Sequence, residues 1–174
     1  MKNKSPFVSI VLVTYNGLDV LKTCLRSFMK ISYPKGRHEI ILVDNASVDG
    51  TVKYVKKNYP KIRIVRNATN LGYVGINAAI PYCRGEFIYF TNNDLEVNKE
   101  LVQNMVRTLL GDDSIGMVVQ TTINYYDRKL VSGGTWVSRS MYCGHRRKTE
   151  DLDIIEVPYH GGGMVRKSLI KKFG

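Results

Sequence analysis

The chain has 174 residues, 44% hydrophobic and 24% charged, which is ordinary for a globular protein long enough to bury one real core. Its net charge of +11 suits an anionic partner: nucleic acid, an acidic membrane surface or a phosphorylated small molecule. Cys24, Cys83 and Cys143 are far apart, odd in number and without a Cys-x-x-Cys pattern, which argues against a disulfide framework and for a reducing, cytoplasmic compartment.

Met1 to Pro6 is short and polar and leads straight into a strand; neither a signal peptide nor a membrane-spanning run of about twenty apolar residues is present. Phe7 to Thr14 is apolar enough to predict a strand buried on both faces of a parallel sheet. Leu18, Leu21, Leu25, Phe28 and Met29 recur at helical spacing and predict an amphipathic helix over residues 17 to 31. Tyr33-Pro34-Lys35-Gly36 is a loop, and His38 to Asp44 the second strand. Ser47 is placed to cap a helix from about Val48 to Asn58, with Asp49 in its first turn. Ile62 to Arg66 predicts a short third strand, Tyr73 to Cys83 a helix interrupted by Gly75 and Pro81, and Glu86 to Thr91 a fourth strand. Asn98 caps a helix through Leu110 that Gly111 stops, and Ile115 to Gln120 is a fifth strand. This alternation predicts an α/β domain with a mostly parallel, Rossmann-like sheet flanked by helices.

After Thr121 the pattern weakens. Residues 121 to 150 read as strands or loops lying across the sheet. Ile154 to Pro158 reads as a strand, Gly161 to Gly163 as a flexible or close-packed loop, and Lys167 to Phe173 as a short helix. With no repeat or linker, residues 1–174 form a single expected domain, whose pattern changes at about residue 120.

Polar clusters follow three of the predicted strands: Thr14-Tyr15-Asn16-Gly17, Asp44-Asn45-Ala46-Ser47 and Thr91-Asn92-Asn93-Asp94. In open α/β sheets, ligands bind at the carboxyl ends of strands. Oxygen-bearing side chains there can hold a hard cation such as Mg²⁺, and the cation can hold a diphosphate. The same residue types also serve as turns and caps in such loops. Neither Gly-x-Gly-x-x-Gly after the first strand nor Gly-x-x-x-x-Gly-Lys-Ser/Thr occurs, which disfavours a dinucleotide oxidoreductase and a P-loop NTPase; a nucleophile elbow is absent too.

Four blocks in order, Val8 to Asn16, Val43 to Thr51, Asn70 to Asn77 and Thr91 to Asp94, followed by Gly161 to Lys167, resemble the successive blocks of family-2 glycosyltransferases, with the flavour of the rhamnosyltransferase-like branch. The resemblance covers nearly the whole chain and implies a nucleotide-binding part to about 120, then a sugar and acceptor part, 121–174. It implies a GT-A fold, a nucleotide-diphospho-sugar donor such as a UDP- or dTDP-sugar, a divalent metal (Mg²⁺ or Mn²⁺), and inversion at the anomeric carbon. By position, Val13, Thr14, Tyr15 and Asn16 line the nucleoside, and Asp44 and Asn45 contact the base and ribose edge. Asn45 stands where the family often has a second Asp. Asn70, Gly72 and Asn77 match the segment beside the nucleotide and its phosphates. Asn92-Asn93-Asp94 occupies the place of the metal-binding Asp-x-Asp motif, making Asp94 and Asn92 the metal candidates. Gly161, Gly162 and Gly163, with His160 before them and Trp136 as an aromatic platform, are candidates for contact with sugar or acceptor.

One departure stands out. Members usually continue beyond a Lys-Lys-Phe-Gly-like helix end into an acidic segment carrying the catalytic Asp, and this sequence stops at Gly174, so no matched base is identified. Glu150, Asp151, Asp153 and Glu156 come before the glycine run, in the wrong order, and read as loop residues. A basic cluster, Arg139 with His145-Arg146-Arg147-Lys148, suits donor diphosphate, an acidic membrane, a lipid-phosphate acceptor or a solvated loop. Tyr125, Tyr126 and Tyr142 suit an acceptor platform or loop packing, and Lys53, Lys56, Lys57 and Lys61 read as a solvated helix face. A nucleotidyltransferase and a non-catalytic nucleotide-sugar-binding domain remain as alternatives. Nucleic acid is not an expected partner, because no recognised module is present. The expected acceptor is a saccharide, a lipid-linked saccharide or a protein, met in the cytoplasm or at its membrane face.

Overall fold

The computed structural model describes residues 5–120, 122–124, 126–127, 130–132, 135–138, 143–145, 154–157 and 162–173. In chain order, β1 (Val8–Thr14) leads to α1 (Leu18–Phe28), β2 (His38–Asp44) to α2 (Thr51–Asn58), and β3 (Arg63–Arg66) to a 3₁₀ segment (Gly72–Tyr82). β4 (Phe87–Asn92) leads to α3 (Leu101–Gly111) and β5 (Met117–Val119). Short strands follow: β6 (Thr122–Ile123), β7 (Leu130–Ser132), β8 (Thr135–Ser138), β9 (Cys143–His145) and β10 (Ile154–Val157). β11 (Gly162–Arg166) and α4 (Lys167–Phe173) complete the set.

One six-stranded sheet organises the molecule, in the order β3-β2-β1-β4-β11-β5. β3, β2, β1 and β4 are parallel; β11 runs antiparallel between β4 and β5. β8 pairs with β9 and β10, and β6 with β7, in two small antiparallel sheets.

Every residue of β1 is buried, as a strand covered on both faces requires. Val8, Ile10 and Leu12 pack with Leu21, Leu25 and Phe28 of α1, Val55 of α2, and Val102, Val106 and Leu109 of α3. Val11 and Val13 face the other way, against Ile41, Val43 and Ile88, with Ile76 and Ala79 of the 3₁₀ segment. Side-chain alternation along β1 therefore divides the core into two layers. The connections from β1 and β4 leave outward from adjacent strands, which makes the β1/β4 boundary a topological switch point.

Three expectations need correction and one a refinement. The helix expected from Tyr73 to Cys83 is present, as a 3₁₀ helix over Gly72–Tyr82 rather than an α-helix. Pro81 brings no N–H for the Asn77 carbonyl, and the Gly75 carbonyl accepts from Asn67 Nδ2 at 3.1 Å, so an unbroken i→i+4 ladder is not available. Ser47 does not cap α2: the helix starts after Gly50, held in the left-handed region at φ 87, and makes no side-chain cap bond from that residue. Its first amide, Thr51 N–H, is taken instead by Asp49 Oδ1 at 3.0 Å. Asn98 stands ahead of α3 rather than at its cap, accepting from the Glu100 N–H at 2.9 Å. Finally, Gly162 and Gly163 are not loop but strand, wedged into the sheet between β4 and β5.

Candidate functional site

The carboxyl ends of the parallel strands form a continuous polar row. Arg66 is in register with Asp44, Asp44 with Thr14, and Asn92 with Val13. Asn93, one residue past β4, donates from Nδ2 to Thr14 Oγ1 at 2.8 Å and to the Gly17 carbonyl at 3.4 Å, tying the loop after β4 to the loop after β1. The Asp44 carboxylate is fully buried, accepting from the Ser47 N–H at 3.3 Å and from Arg66 Nε at 3.0 Å. The loops after β1 and β2 are joined reciprocally: Asn16 N–H donates to Ser47 Oγ at 2.9 Å, and Val48 N–H to Asn16 Oδ1 at 2.8 Å. Asn16 and Ala46 both adopt positive φ, 46° and 64°, and this strain is concentrated at the rim.

Asn45 is the hub of the third connection. It is 1% exposed, and its amide is fully engaged. Nδ2 donates to the Gly72 carbonyl at 2.7 Å and to Asn70 Oδ1 at 3.3 Å, while Oδ1 accepts from Asn67 Nδ2 at 2.7 Å. Asn70 Oδ1 also accepts the Gly72 N–H at 2.9 Å, with Gly72 at φ 60°. Gly75 makes the cluster possible: a Cβ there would fall 2.3 Å from Asn45 Oδ1 and 2.7 Å from Asn67 Nδ2. An amide can donate and accept at once, which a carboxylate at position 45 could not.

The chemistry-bearing groups left facing solvent are few. Tyr15 is 49% exposed on the rim. Asp94 is exposed just beyond Asn92 and Asn93, and no described side chain bonds its carboxylate. Among the described residues, no group of three or more His, Cys, Asp or Glu could hold a metal by itself. Cys24, buried beneath this loop, donates its thiol to the Asn92 carbonyl; burial, reinforced by the charge of Asp94, pushes that thiol up to about 12, despite a bond from the Leu95 backbone that lowers it. One free carboxylate flanked by amide oxygens suits a hard cation that takes its remaining oxygens from a diphosphate and water.

The sequence profile described as Glycosyl transferase family 2 matches residues 9–174, almost the whole chain. The chain belongs to glycosyltransferase family 2. Glycosyltransferase AglE of Haloferax volcanii is 28% identical over 180 residues, spanning 100% of this chain and 57% of the relative. Poly(ribitol-phosphate) beta-N-acetylglucosaminyltransferase TarS of Staphylococcus aureus is 32% identical over 100 residues, 55% of this chain and 18% of TarS. The chain therefore matches 57% of the length of AglE and a much smaller share of TarS. The mannosyltransferase PcManGT of Pyrobaculum calidifontis, solved with GDP-Man and Mn²⁺, superposes with a TM-score of 0.72 at 20% identity, covering 99% of this chain and 48% of that one. S. aureus TarS 1-349 with UDP-GlcNAc gives 0.68 at 22% identity, over 95% and 47%. The shared architecture is the GT-A fold.

In this family-2 chain, the rim brings together Val13, Thr14, Asn16, Asp44, Asn45, Asn92, Asn93 and Asp94, with Asn70 and Gly72 drawn in through Asn45. Asn77 is exposed within the 3₁₀ segment and outside the amide network. Gly162 enters the row from the other side, opposite Thr91 in register. Trp136 lies on β8, opposite Glu156 and Gly144. His160 and Gly161 lie outside the described residues, as do Tyr125, Arg139, Tyr142, Arg146, Arg147, Lys148, Glu150, Asp151 and Asp153. The sequence reading missed Arg66 and Asn67. The signal was there: Asn67 follows β3 as the other polar clusters follow β1, β2 and β4.

Proposed function

We propose that this chain binds a nucleotide-diphospho-sugar at the rim and transfers the sugar, with inversion, to a hydroxyl of a saccharide or lipid-linked acceptor. The observation that carries the reading is the exposed Asp94 carboxylate just beyond β4, which no described side chain bonds, beside a rim where Asp44 and the amides of Asn16, Asn45 and Asn93 are engaged. Tyr15 and Asn16 meet the nucleoside, and Tyr15 offers its exposed ring to the base. Asp44 and Asn45 act by fixing the loops that form the donor floor. Asn70, Gly72 and Asn77 border the phosphates, and Gly162 and Gly163, with Gly161, His160 and Trp136, stand on the sugar and acceptor side. The residues present fit a divalent ion, Mg²⁺ or Mn²⁺, held by Asp94 with Asn92. Such an ion would neutralise charge on the leaving diphosphate. UDP and dTDP are the first donors to examine, with GDP included because PcManGT was solved with GDP-Man. The acceptor is met on the cytoplasmic side.

Calorimetric titration of UDP, dTDP and GDP, with and without Mn²⁺ or Mg²⁺, tests this on the wild type and Asp94→Ala. Metal-dependent binding of one nucleotide, abolished in the variant, is the expected result. Folded wild type that binds none of the three with metal present would remove the donor site and with it the transferase reading.

A further inference from the structure

Between Asp49 and Glu86 the sequence contains no Asp or Glu. Lys53, Lys56, Lys57, Lys61, Arg63 and Arg66 fall within that stretch, on α2, the turn after it and the edge strand β3, and all are exposed. Lys53, Lys56 and Lys57 stand at i, i+3 and i+4 on one face of α2. With Arg66, Ser47 and Val48 they line a cleft of about 630 Å³. The carboxylates bordering this face are already bonded: Asp44 to Arg66 and the Ser47 N–H, Asp49 to the N–H groups of Leu18 and Thr51. Among the described residues, no carboxylate pairs with the four lysines.

Exposed apolar side chains border this charge. Val48, lining the cleft, is 88% exposed; Leu71 and Val74, on the rim after β3, are 53% and 68% exposed. The Arg63 guanidinium lies 5.3 Å from the centre of the exposed Tyr82 ring. A small anion is gripped by a few preorganised donors converging on one point. Here the cations are spread along a helix and a sheet edge on long flexible stems. Spread positive charge with exposed apolar side chains matches the interface of an anionic bilayer. A soluble polyanion would satisfy the charge and leave Val48, Leu71 and Val74 in water.

We propose that the α2–β3 edge docks on an anionic lipid surface, holding the strand-end rim beside the membrane. This does not depend on the donor reading.

Co-sedimentation of the full chain with vesicles tests it, using phosphatidylcholine alone and phosphatidylcholine mixed with phosphatidylglycerol. The wild type is expected to pellet with the anionic vesicles only, and less as salt rises. Lys53→Glu/Lys56→Glu/Lys57→Glu should weaken that binding about a hundredfold. Lys30→Glu/Lys35→Glu/Lys99→Glu makes the same charge change away from the α2–β3 edge, around the end of α1 and the start of α3, and should stay within about threefold of wild type. Equal losses in both variants would reduce the effect to net charge and overturn the proposal. So would failure to bind the anionic vesicles, or binding to soluble polyphosphate in place of them. Unchanged melting temperature and nucleotide titration in the α2 variant separate docking from folding and from the donor site; should the Glu variant unfold, the Gln triple substitution answers the same question.

Discussion

Arg66 and Asp44 face each other in register across β3 and β2, joined by a 3.0 Å bond from Nε to Oδ2. The pair is asymmetric. The Asp44 carboxylate is fully buried, whereas the Arg66 side chain is 56% exposed. Burying a carboxylate is costly unless it is bonded, so Arg66 is what allows an acidic residue to sit inside the rim.

Arg66→Ala should therefore destabilise the fold by about 1–3 kcal/mol, less than for a fully buried pair because solvent already screens the guanidinium. The Ser47 N–H remains as a partner for Asp44. Urea denaturation of the variant gives the number directly. A loss below a few tenths of a kcal/mol would show that the Ser47 N–H alone suffices for Asp44.

Asn45→Asp restores the residue that the family often carries and is nonetheless expected to be harmful here. The Gly72 carbonyl and Asn70 Oδ1 both accept from Asn45 Nδ2. A carboxylate would set oxygen against oxygen in a site 1% exposed. The expected cost is about 2 kcal/mol or more at neutral pH. Hydrogen exchange should show faster opening of residues 70–75, because that segment loses its tie to β2. Unaltered exchange there would mean that the 3₁₀ segment is held by its core contacts at Ile76 and Ala79 alone.

Asp49 links the starts of two helices, accepting the Leu18 N–H at 2.9 Å on Oδ2 and the Thr51 N–H at 3.0 Å on Oδ1. Burial pushes its carboxyl up, but bonds from Thr51 and from the Leu18 N–H outweigh it and hold the group below the usual 3.8. A folded-state value below the unfolded one gives stability that is present above about 3.9 and lost as pH falls through the folded value. Asp49→Asn should thus be less stable than wild type by about 1 kcal/mol from pH 5 to 8, a difference that shrinks as the pH falls through the folded-state value. Thermal melts across that range check both the sign and the window.

How much of this was legible follows from which forces leave a local trace. β2 and α4 were readable to the residue, His38–Asp44 and Lys167–Phe173, because an apolar run or a helical stretch with clear flanks signals itself. The strand-end clusters were readable because each polar group follows its own strand. What was hidden depends on partners distant in sequence. Nothing near Ser47 announces that its hydroxyl serves the Asn16 N–H rather than α2. Asn67 acquires meaning only when Asn45 lies against it. β11 was concealed more deeply, since glycine weakens strands and reads as loop. Only the gap between β4 and β5 requires residues without side chains there.

That gap distinguishes the two glycines. At Gly162, φ is 154°, and an added Cβ would lie 2.7 Å from the Phe90 carbonyl oxygen and 2.7 Å from Thr91 Oγ1. At Gly163 the Cβ would meet Met117 Cε at 2.1 Å and Val119 Cγ1 at 3.2 Å. A methionine tip can swing aside, whereas a ladder carbonyl cannot. Gly162→Ala is therefore expected to cost about 2–4 kcal/mol and Gly163→Ala about 1 kcal/mol, both read from urea denaturation. Because Gly162 is paired with Thr91, immediately before Asn92-Asn93-Asp94, the first substitution should also displace the Asp94 loop and weaken metal-dependent nucleotide binding. Gly163→Ala should leave that binding intact. Equal effects of the two on the titration would show that the position of β11 is not transmitted to the rim through Gly162.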